Sequence, residues 1–278
     1  MRIGIFVFSG TGNTRHVCSA IKEHLASAGH EVSLSTMCDA GKAAGFDCII
    51  IGYPVHAFNA PRPVISFMKK LPNGDGKPIY MIQTSGEALH MNAAASLRPM
   101  QIARRKGYRA LGAFSYVMPY NIIFRHSEEM AARMLETAKR RAPHDAAAIA
   151  RLERIPVDAN LLDRAVSLIL RIEHPAMPII GQHFRTTDSC IGCGRCALNC
   201  PQGNIMMAEG RPVFGHSCSG CMGCAFTCPE DAIRISILDG WRVNGPYGWD
   251  GEAATDDEVC SYCRRSYLRY FHKYEDNQ

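Results

Sequence analysis

Along the first 174 positions, apolar residues come in short, nearly unbroken runs separated by stretches where they recur every three or four residues. Ile3–Phe8, Cys48–Tyr53 and Pro78–Gln83 are almost wholly apolar, the pattern of strands buried on both faces of a parallel sheet. Glu31–Ser35 and Leu111–Val117 read as two further strands. Helical patterns lie between them at Thr14–Ala28, Arg62–Lys70 and Ala93–Lys106, and three more follow at Glu128–Arg141, Asp145–Arg154 and Ala159–Glu173. Met130, Met134, Leu135 and Ala138 share one face of the first of these three. The alternation predicts an α/β fold, a doubly wound five-stranded parallel sheet over residues 1–174. Pro175, Pro178 and Gly181 break the pattern, so residues 175–182 are the expected linker. Residues 183–240, punctuated by Cys, Gly and Pro, are expected to form a small α+β domain. Residues 241–278 form a C-terminal extension that holds both tryptophans and five of the ten tyrosines.

Length and composition narrow the class. The 278 residues leave room for two cores. No apolar run approaches the ~18 residues of a membrane span. The chain begins Met-Arg-Ile-Gly-Ile-Phe-Val and enters a strand without a signal-peptide pattern, so the cytoplasm is the expected compartment. Thiols stay reduced there, which argues against a disulfide framework for the thirteen cysteines. Three of them precede residue 189, and eight fall between Cys190 and Cys228. That crowding points to metal.

The eight form a duplicated Cys-x-x-Cys-x-x-Cys-x-x-x-Cys-Pro. It runs through Cys190, Cys193, Cys196, Cys200 and Pro201, then through Cys218, Cys221, Cys224, Cys228 and Pro229, offset by 28 residues. Soft thiolates at this spacing wrap an iron–sulfur cubane. Gly192, Gly194, Gly220 and Gly223 are expected to let the loops turn tightly. Two structural zinc sites are the competing reading, but zinc motifs normally show two Cys-x-x-Cys pairs across a longer loop. Between the motifs, Ile205–Phe214 reads as a hairpin with Glu209-Gly210 at its turn. Residues 183–238 resemble a bacterial two-cluster ferredoxin. In that pattern the fourth cysteine serves the other cluster. The resemblance therefore implies one 4Fe–4S cluster on Cys190, Cys193, Cys196 and Cys228 and a second on Cys218, Cys221, Cys224 and Cys200. With few large apolar side chains, this segment is expected to need its clusters in order to fold.

The first strand ends in Ser9-Gly10-Thr11-Gly12-Asn13-Thr14 and a helix follows at once. Backbone N–H groups, hydroxyls and a positive helix end in such a loop suit a dianionic phosphate. The loop lacks the GK[ST] ending of a P-loop and the third glycine of a dinucleotide fingerprint. It resembles the FMN phosphate loop of flavodoxins, so the chain as a whole resembles the flavodoxin–ferredoxin fusion family. That resemblance implies FMN beyond the strand ends, with electron-carrier chemistry found largely in anaerobes. The ring would then meet the loop after strand three, where Tyr53, His56 and Phe58 offer aromatic faces beside Pro54, Val55, Ala57 and Asn59. It would also meet the loop after strand four, through Thr84, Ser85 and Gly86. Tyr120-Asn121 after the fifth strand is a further candidate, and His90 is expected at the surface.

The net charge of +5 is concentrated in residues 1–182, with 22 Lys/Arg against 14 Asp/Glu, unlike the acidic flavodoxins. Two clusters with their thiolates and one flavin phosphate would bring roughly −2 each, leaving the loaded molecule near −1. No nucleic-acid partner is implied, and no membrane span. No nucleophile–base pair appears, so no catalytic residue is assigned. Three functions remain open: a carrier serving a redox partner protein, a flavin-dependent reductase of a small organic substrate with His56 or Tyr53 donating a proton, and a redox or oxygen sensor using Cys260 and Cys263. For that last pair, Thr255–Glu258 fits a capping box, and Val259, Cys263, Tyr267 and Tyr270 fall near one helical stripe.

Overall fold

The computed structural model describes residues 1–249 and 251–275. Five strands, β1 (Arg2–Val7), β2 (Glu31–Thr36), β3 (Cys48–Pro54), β4 (Pro78–Ser85) and β5 (Arg109–Val117), form one parallel sheet in the order β2-β1-β3-β4-β5. Ile3 pairs with Cys48 and Ile50 with Tyr80, so the most apolar strands sit in the middle, as their composition requires. Each strand lies within two residues of its expected position.

Helices α1 (Asn13–Ser27) and α4 (Glu128–Ala150) cover one face, over a core that includes Ile3, Ile5, Ile50, Ile82 and Tyr116. Helices α2 (Arg62–Lys70) and α3 (Leu97–Arg105) cover the other, over Phe6, Ile49, Ile51, Tyr53 and Met81. The two lists alternate residue by residue along β3, which is the period-two pleat made visible. Helix α3 starts later than its apolar pattern, because His90–Ser96 winds as a tighter 3-10 segment before it.

Two expected breaks are absent. Glu128–Arg141 and Asp145–Arg154 join into the single helix α4, with Pro143 inside it. The proline deletes one backbone hydrogen bond. The helix continues because a buried Arg141–Asp145 pair spans the gap at 2.8 Å and Ala138, Ala142, Ala146 and Ile149 stay packed on the sheet. After α5 (Leu161–Leu170), residues where the prolines predict a linker lie mostly in α6 (Glu173–Gly181). Pro175 falls in its first turn, where no N–H is missed, and Met177 is buried beneath it.

Residues 185–234 follow as β6 (Arg185–Thr186), α7 (Arg195–Leu198), β7 (Ile205–Ala208), β8 (Arg211–Phe214), α8 (Gly223–Phe226) and β9 (Ile233–Arg234). β7 and β8 form the expected hairpin, turning on Glu209 and Gly210 at positive φ. β6 pairs antiparallel with β9 and closes the segment on itself. In the extension, Thr255 meets Glu258 as a capping box would, yet helix α9 begins only at Arg264 and runs to Glu275. It packs on α4 through Phe271 and Tyr267, with Arg133 bound to Glu275 and Asp256 at 2.8 Å each. Among the described residues no helix is long and apolar enough to cross a membrane.

Candidate functional site

The loops leaving β1, β3, β4 and β5 surround one cavity of about 510 Å³, inside the ~300–1,000 Å³ range usual for cofactor sites. It opens where the strand order reverses between β1 and β3. Ser9, Gly10, Thr11, Asn13 and Thr14 line it, with Pro54, Val55, His56 and Phe58 from the second loop and Thr84, Ser85 and Gly86 from the third.

The first loop is prepared for an anion. Gly12 takes φ 100° as the residue before α1, and the helix starts with no side-chain cap and no acid in its first turn. Its leading N–H groups are thus left for a ligand. Ser9 Oγ accepts from the Gly12 N–H at 3.2 Å, and the Thr14 and Thr84 hydroxyls meet at 2.8 Å. Asn13 donates to the Pro119 carbonyl at 2.6 Å, which leaves its own Oδ1 buried without a protein partner. Asn92 Oδ1, also in the cavity wall, is orphaned in the same way. Two such acceptors fit a bound group that carries hydrogen-bond donors.

Three expected contacts go elsewhere. Tyr53 does not face the cavity: β3 runs on through Pro54, so Tyr53 keeps the parity of Ile49 and Ile51 and is buried in the α2–α3 core. Burial there raises its phenol, and its place in the core, off the cavity wall, keeps it from a group held in the cavity. Asn59 is a clamp rather than a ring contact, donating to the Ser167 carbonyl at 2.8 Å and accepting from Ser167 Oγ at 3.0 Å to hold α5. Gly12 caps α1 without lining the cavity. Gly86 does line it, but its bare Cα is covered by the ring of Tyr120. His56 sits in the wall with Nδ1 3.6 Å from Glu173 Oε1. The turn carrying it holds Ala57 and Phe58 at φ 43° and 58°, a left-handed pair with no glycine. His90 is half exposed, paired with Asp163 at 2.8 Å and Asp158 at 3.2 Å.

The eight clustered cysteines surround two separate hollows. One is lined by Cys190, Cys193, Cys196 and Cys228, the other by Cys200, Cys218, Cys221 and Cys224. Each ring thus takes three cysteines from one motif and the fourth from its repeat. Among the described residues, no three His, Cys, Asp or Glu side chains converge as a single-ion site would need. The Asn204 N–H donates to Cys200 Sγ and the Ala232 N–H to Cys228 Sγ, both at 3.3 Å. Burial pushes the Cys221 thiol up to about 11 and raises Cys196, Cys218 and Cys224 as well. Thiolates there call for a positive centre, and iron would supply it. Gly192, Gly194 and Gly220 all take φ 70°. The fourth expected turn glycine is misplaced by one: Met222, the equivalent of Gly194, takes φ 58°. Gly223 is needed for another reason.

That reason is the β1 loop. A methyl at Gly223 would stand 2.6 Å from the Gly10 carbonyl oxygen, and one at Gly10 would stand 2.7 Å from the Cys221 carbonyl and 2.8 Å from its Sγ. Only two facing glycines let these loops meet. Asn121 brackets the contact, with Nδ2 3.3 Å from the Cys221 carbonyl and 3.5 Å from Thr11 Oγ1. Gly220 and Met222 enter the cavity wall beside Glu173 and Met177 of α6. Trp241 and Tyr262 of the extension complete it. The strand pattern could not reveal these residues, since they come from segments whose position depends on tertiary packing. Cys260 and Cys263 pack half-buried against the α4–α9 core, apart from both hollows.

A reversed-order parallel sheet thus presents an anion-ready first loop to one cavity, with two cysteine-lined hollows beside it. Residues 4–114 match the family described as flavodoxin domain, and residues 185–206 match the 4Fe-4S binding domain. The chain thus carries a flavodoxin domain toward its N-terminus and a 4Fe–4S binding motif toward its C-terminus; the first implies FMN and the second a 4Fe–4S cluster. No curated protein matches it. Among solved structures, it is similar to oxidised flavodoxin 2 from Bacillus cereus, with 19% identity over 54% of this chain and 99% of that one and a TM-score of 0.43. It is similar to two-electron reduced flavodoxin from Megasphaera elsdenii, with 24% identity over 41% and 84% and a TM-score of 0.36. A third is NAD(P)H:quinone oxidoreductase from Methanothermobacter marburgensis, with 14% identity over 54% and 96% and a TM-score of 0.39.

Proposed function

We propose that the chain carries electrons through three centres in series. Cys190, Cys193, Cys196 and Cys228 would hold one cluster, open to a redox partner protein, Cys200, Cys218, Cys221 and Cys224 would hold a second, and the cavity would hold FMN; the clusters would supply one-electron chemistry. Riboflavin phosphate supplies both one- and two-electron chemistry, which lets it match one-electron clusters to a two-electron reaction. Ser9, Gly10, Thr11, Asn13 and Thr14 would hold the phosphate, with Gly12 fixing the helix start. Val55, His56, Phe58, Thr84 and Ser85 would hold the ring. Residues 1–174 would serve as the flavin domain and 183–240 as the cluster domain, joined through 175–182, with Trp241 and Tyr262 of the 241–278 extension at the cavity wall. The cytoplasm suits this work, because reducing conditions keep cluster thiols free.

The observation that carries the reading is the contact of Gly10 with Cys221. It supports setting the loop after β1 against the hollow of Cys200, Cys218, Cys221 and Cys224, while the hollow of Cys190, Cys193, Cys196 and Cys228 takes no residue from the five-stranded domain. A series path follows from that order. The test is to replace one ligand of the inner ring, Cys224→Ser, in anaerobically reconstituted protein. Electrons entering at the outer cluster should then reach the flavin on the order of 10²-fold more slowly. Flavin reduction at the parental rate would exclude the series path.

A further inference from the structure

Helix α5 turns its polar side in and its apolar side out. Its buried side chains are Asp163 and Ser167, at 3% and 4% exposure. Asp163 pairs with His90 Nδ1 at 2.8 Å and closes a capping box with Asn160, and Ser167 Oγ donates to Asn59 Oδ1 at 3.0 Å. These polar bonds fix the helix orientation and leave its other side to solvent. Leu161, Leu168 and Ile172 fall on one outward stripe, seven and then four residues apart, with Leu162 and Ile169 beside it. All five are between 62% and 82% exposed. A single exposed leucine is ordinary, but five such side chains on one helix face mark a surface that something covers.

The stripe has a basic flank. Arg164 and Arg171, also seven residues apart, follow one side of it, and Arg98 of α3 lies near Arg171. Among the described residues none of the three meets a carboxylate. Arg164 donates to the Ala159 carbonyl at 3.1 Å and Arg171 to Asn59 Oδ1 at 3.5 Å. The neighbouring acids are engaged elsewhere, Asp158 and Asp163 with His90 and Glu173 with His56.

That combination sorts the possible occupants. Transient redox encounters use small surfaces, and leucine is rare among the residues that anchor protein partners. A second copy packed antiparallel on this face would set arginine flank against arginine flank. Packed parallel, it would set the arginines against Leu162 and Ile169. Neither packing brings them a carboxylate. An anionic lipid surface satisfies both halves of the patch: headgroups take the arginines and the acyl boundary takes the leucines and isoleucines. Trp241, 56% exposed, shares the cavity wall with Ile172 and adds a side chain that favours the bilayer interface.

We propose that the outward face of α5, with Ile172 and Trp241 at its end, docks the protein on an anionic membrane surface. The helix lies in the interface plane; its 10 residues are half of the ~20 a span requires. Because Ile172 and Trp241 also line the cavity, docking turns the cavity rim toward the lipid. Docking does not depend on what the cavity holds.

The test sediments full-length protein, reconstituted with iron, sulfide and FMN, with two sets of vesicles. One set is phosphatidylcholine, the other an equal mixture of phosphatidylcholine and phosphatidylserine. The protein should bind the mixed vesicles on the order of 10-fold more tightly than the neutral ones and leave them as salt is raised. Leu168→Gln with Ile169→Gln should lower the partition coefficient on the order of 10²-fold, and Arg164→Gln with Arg171→Gln on the order of 10-fold. Leu168 and Ile169 face solvent, so their double variant should keep the parental Tm, which separates lost docking from lost folding. Equal sedimentation of this variant and the parent would overturn the proposal. So would a parent that binds neither vesicle set, and a dimer in light scattering that the variant splits would then assign the face to a second copy. The FMN content of the same preparation tests the flavin reading by itself.

Discussion

Replacing Gly10 with Ala probes the contact on which the electron path depends. The added methyl would sit 2.7 Å from the Cys221 carbonyl oxygen and 2.8 Å from Sγ, so reaching an ordinary 3.4 Å separation requires at least 0.7 Å of movement. The atoms it meets are backbone and a cluster ligand, neither of which can swing aside. Overpacking of this kind costs about 1–3 kcal/mol. At roughly 2–4 °C per kcal/mol for a chain of this size, Tm should fall by roughly 2–12 °C. Gly45→Ala is the matched control, because its position is open and carries no positive φ. Thermal unfolding of both variants in the reconstituted state gives the stability difference, and stopped-flow absorbance gives the cluster-to-flavin rate. Gly10→Ala should lose both stability and rate, and Gly45→Ala neither. Equal behaviour of the two would refute the idea that the phosphate loop and the inner cysteine ring touch.

Three further outcomes are expected. Burial holds His126 at about 4 against an ordinary 6.5, so the unfolded chain binds its proton first as pH falls. Stability should be unaffected above pH 6.5 and decline by up to about 3 kcal/mol between pH 6.5 and 4. His126→Gln should flatten that slope in urea titrations across the same window, and an unchanged slope would exclude the assignment. Ala57 is exposed and left-handed at φ 43°; Ala57→Gly should gain about 1 kcal/mol, and a loss of Tm would count against the turn described. Stripping iron with a chelator should open residues 183–240 to protease while the five-stranded sheet persists, because the apolar core there is small. Equal protease resistance with and without iron would contradict this.

The parallel sheet was legible because Ile3–Phe8, Cys48–Tyr53 and Pro78–Gln83 are apolar on both faces, a pattern few other arrangements can satisfy. The cysteines stood out for a different reason: the spacing duplicated at 28 residues singles out the eight that line the two hollows. Tyr53 was misread because the end of a strand decides which face its last residue takes, and extension of β3 to Pro54 turned the side chain inward. Pro143 misled for a related reason. A proline's local cost is visible in sequence, whereas the packing of α4 and the Arg141–Asp145 pair that offset it are not. Met222 hid at a turn position because a left-handed methionine goes against the rule that glycine belongs there. Glu87, Asn92 and Tyr262 carried no motif at all. They meet at the cavity wall only through tertiary packing.

Metal and flavin content after anaerobic reconstitution, followed through stepwise reduction, tests the central claim most directly. About eight iron per chain with one FMN, and flavin bleaching that depends on an intact inner cluster, is the predicted result. Four iron or fewer after full loading, zinc in the rings, or a chain that takes up no FMN would contradict it.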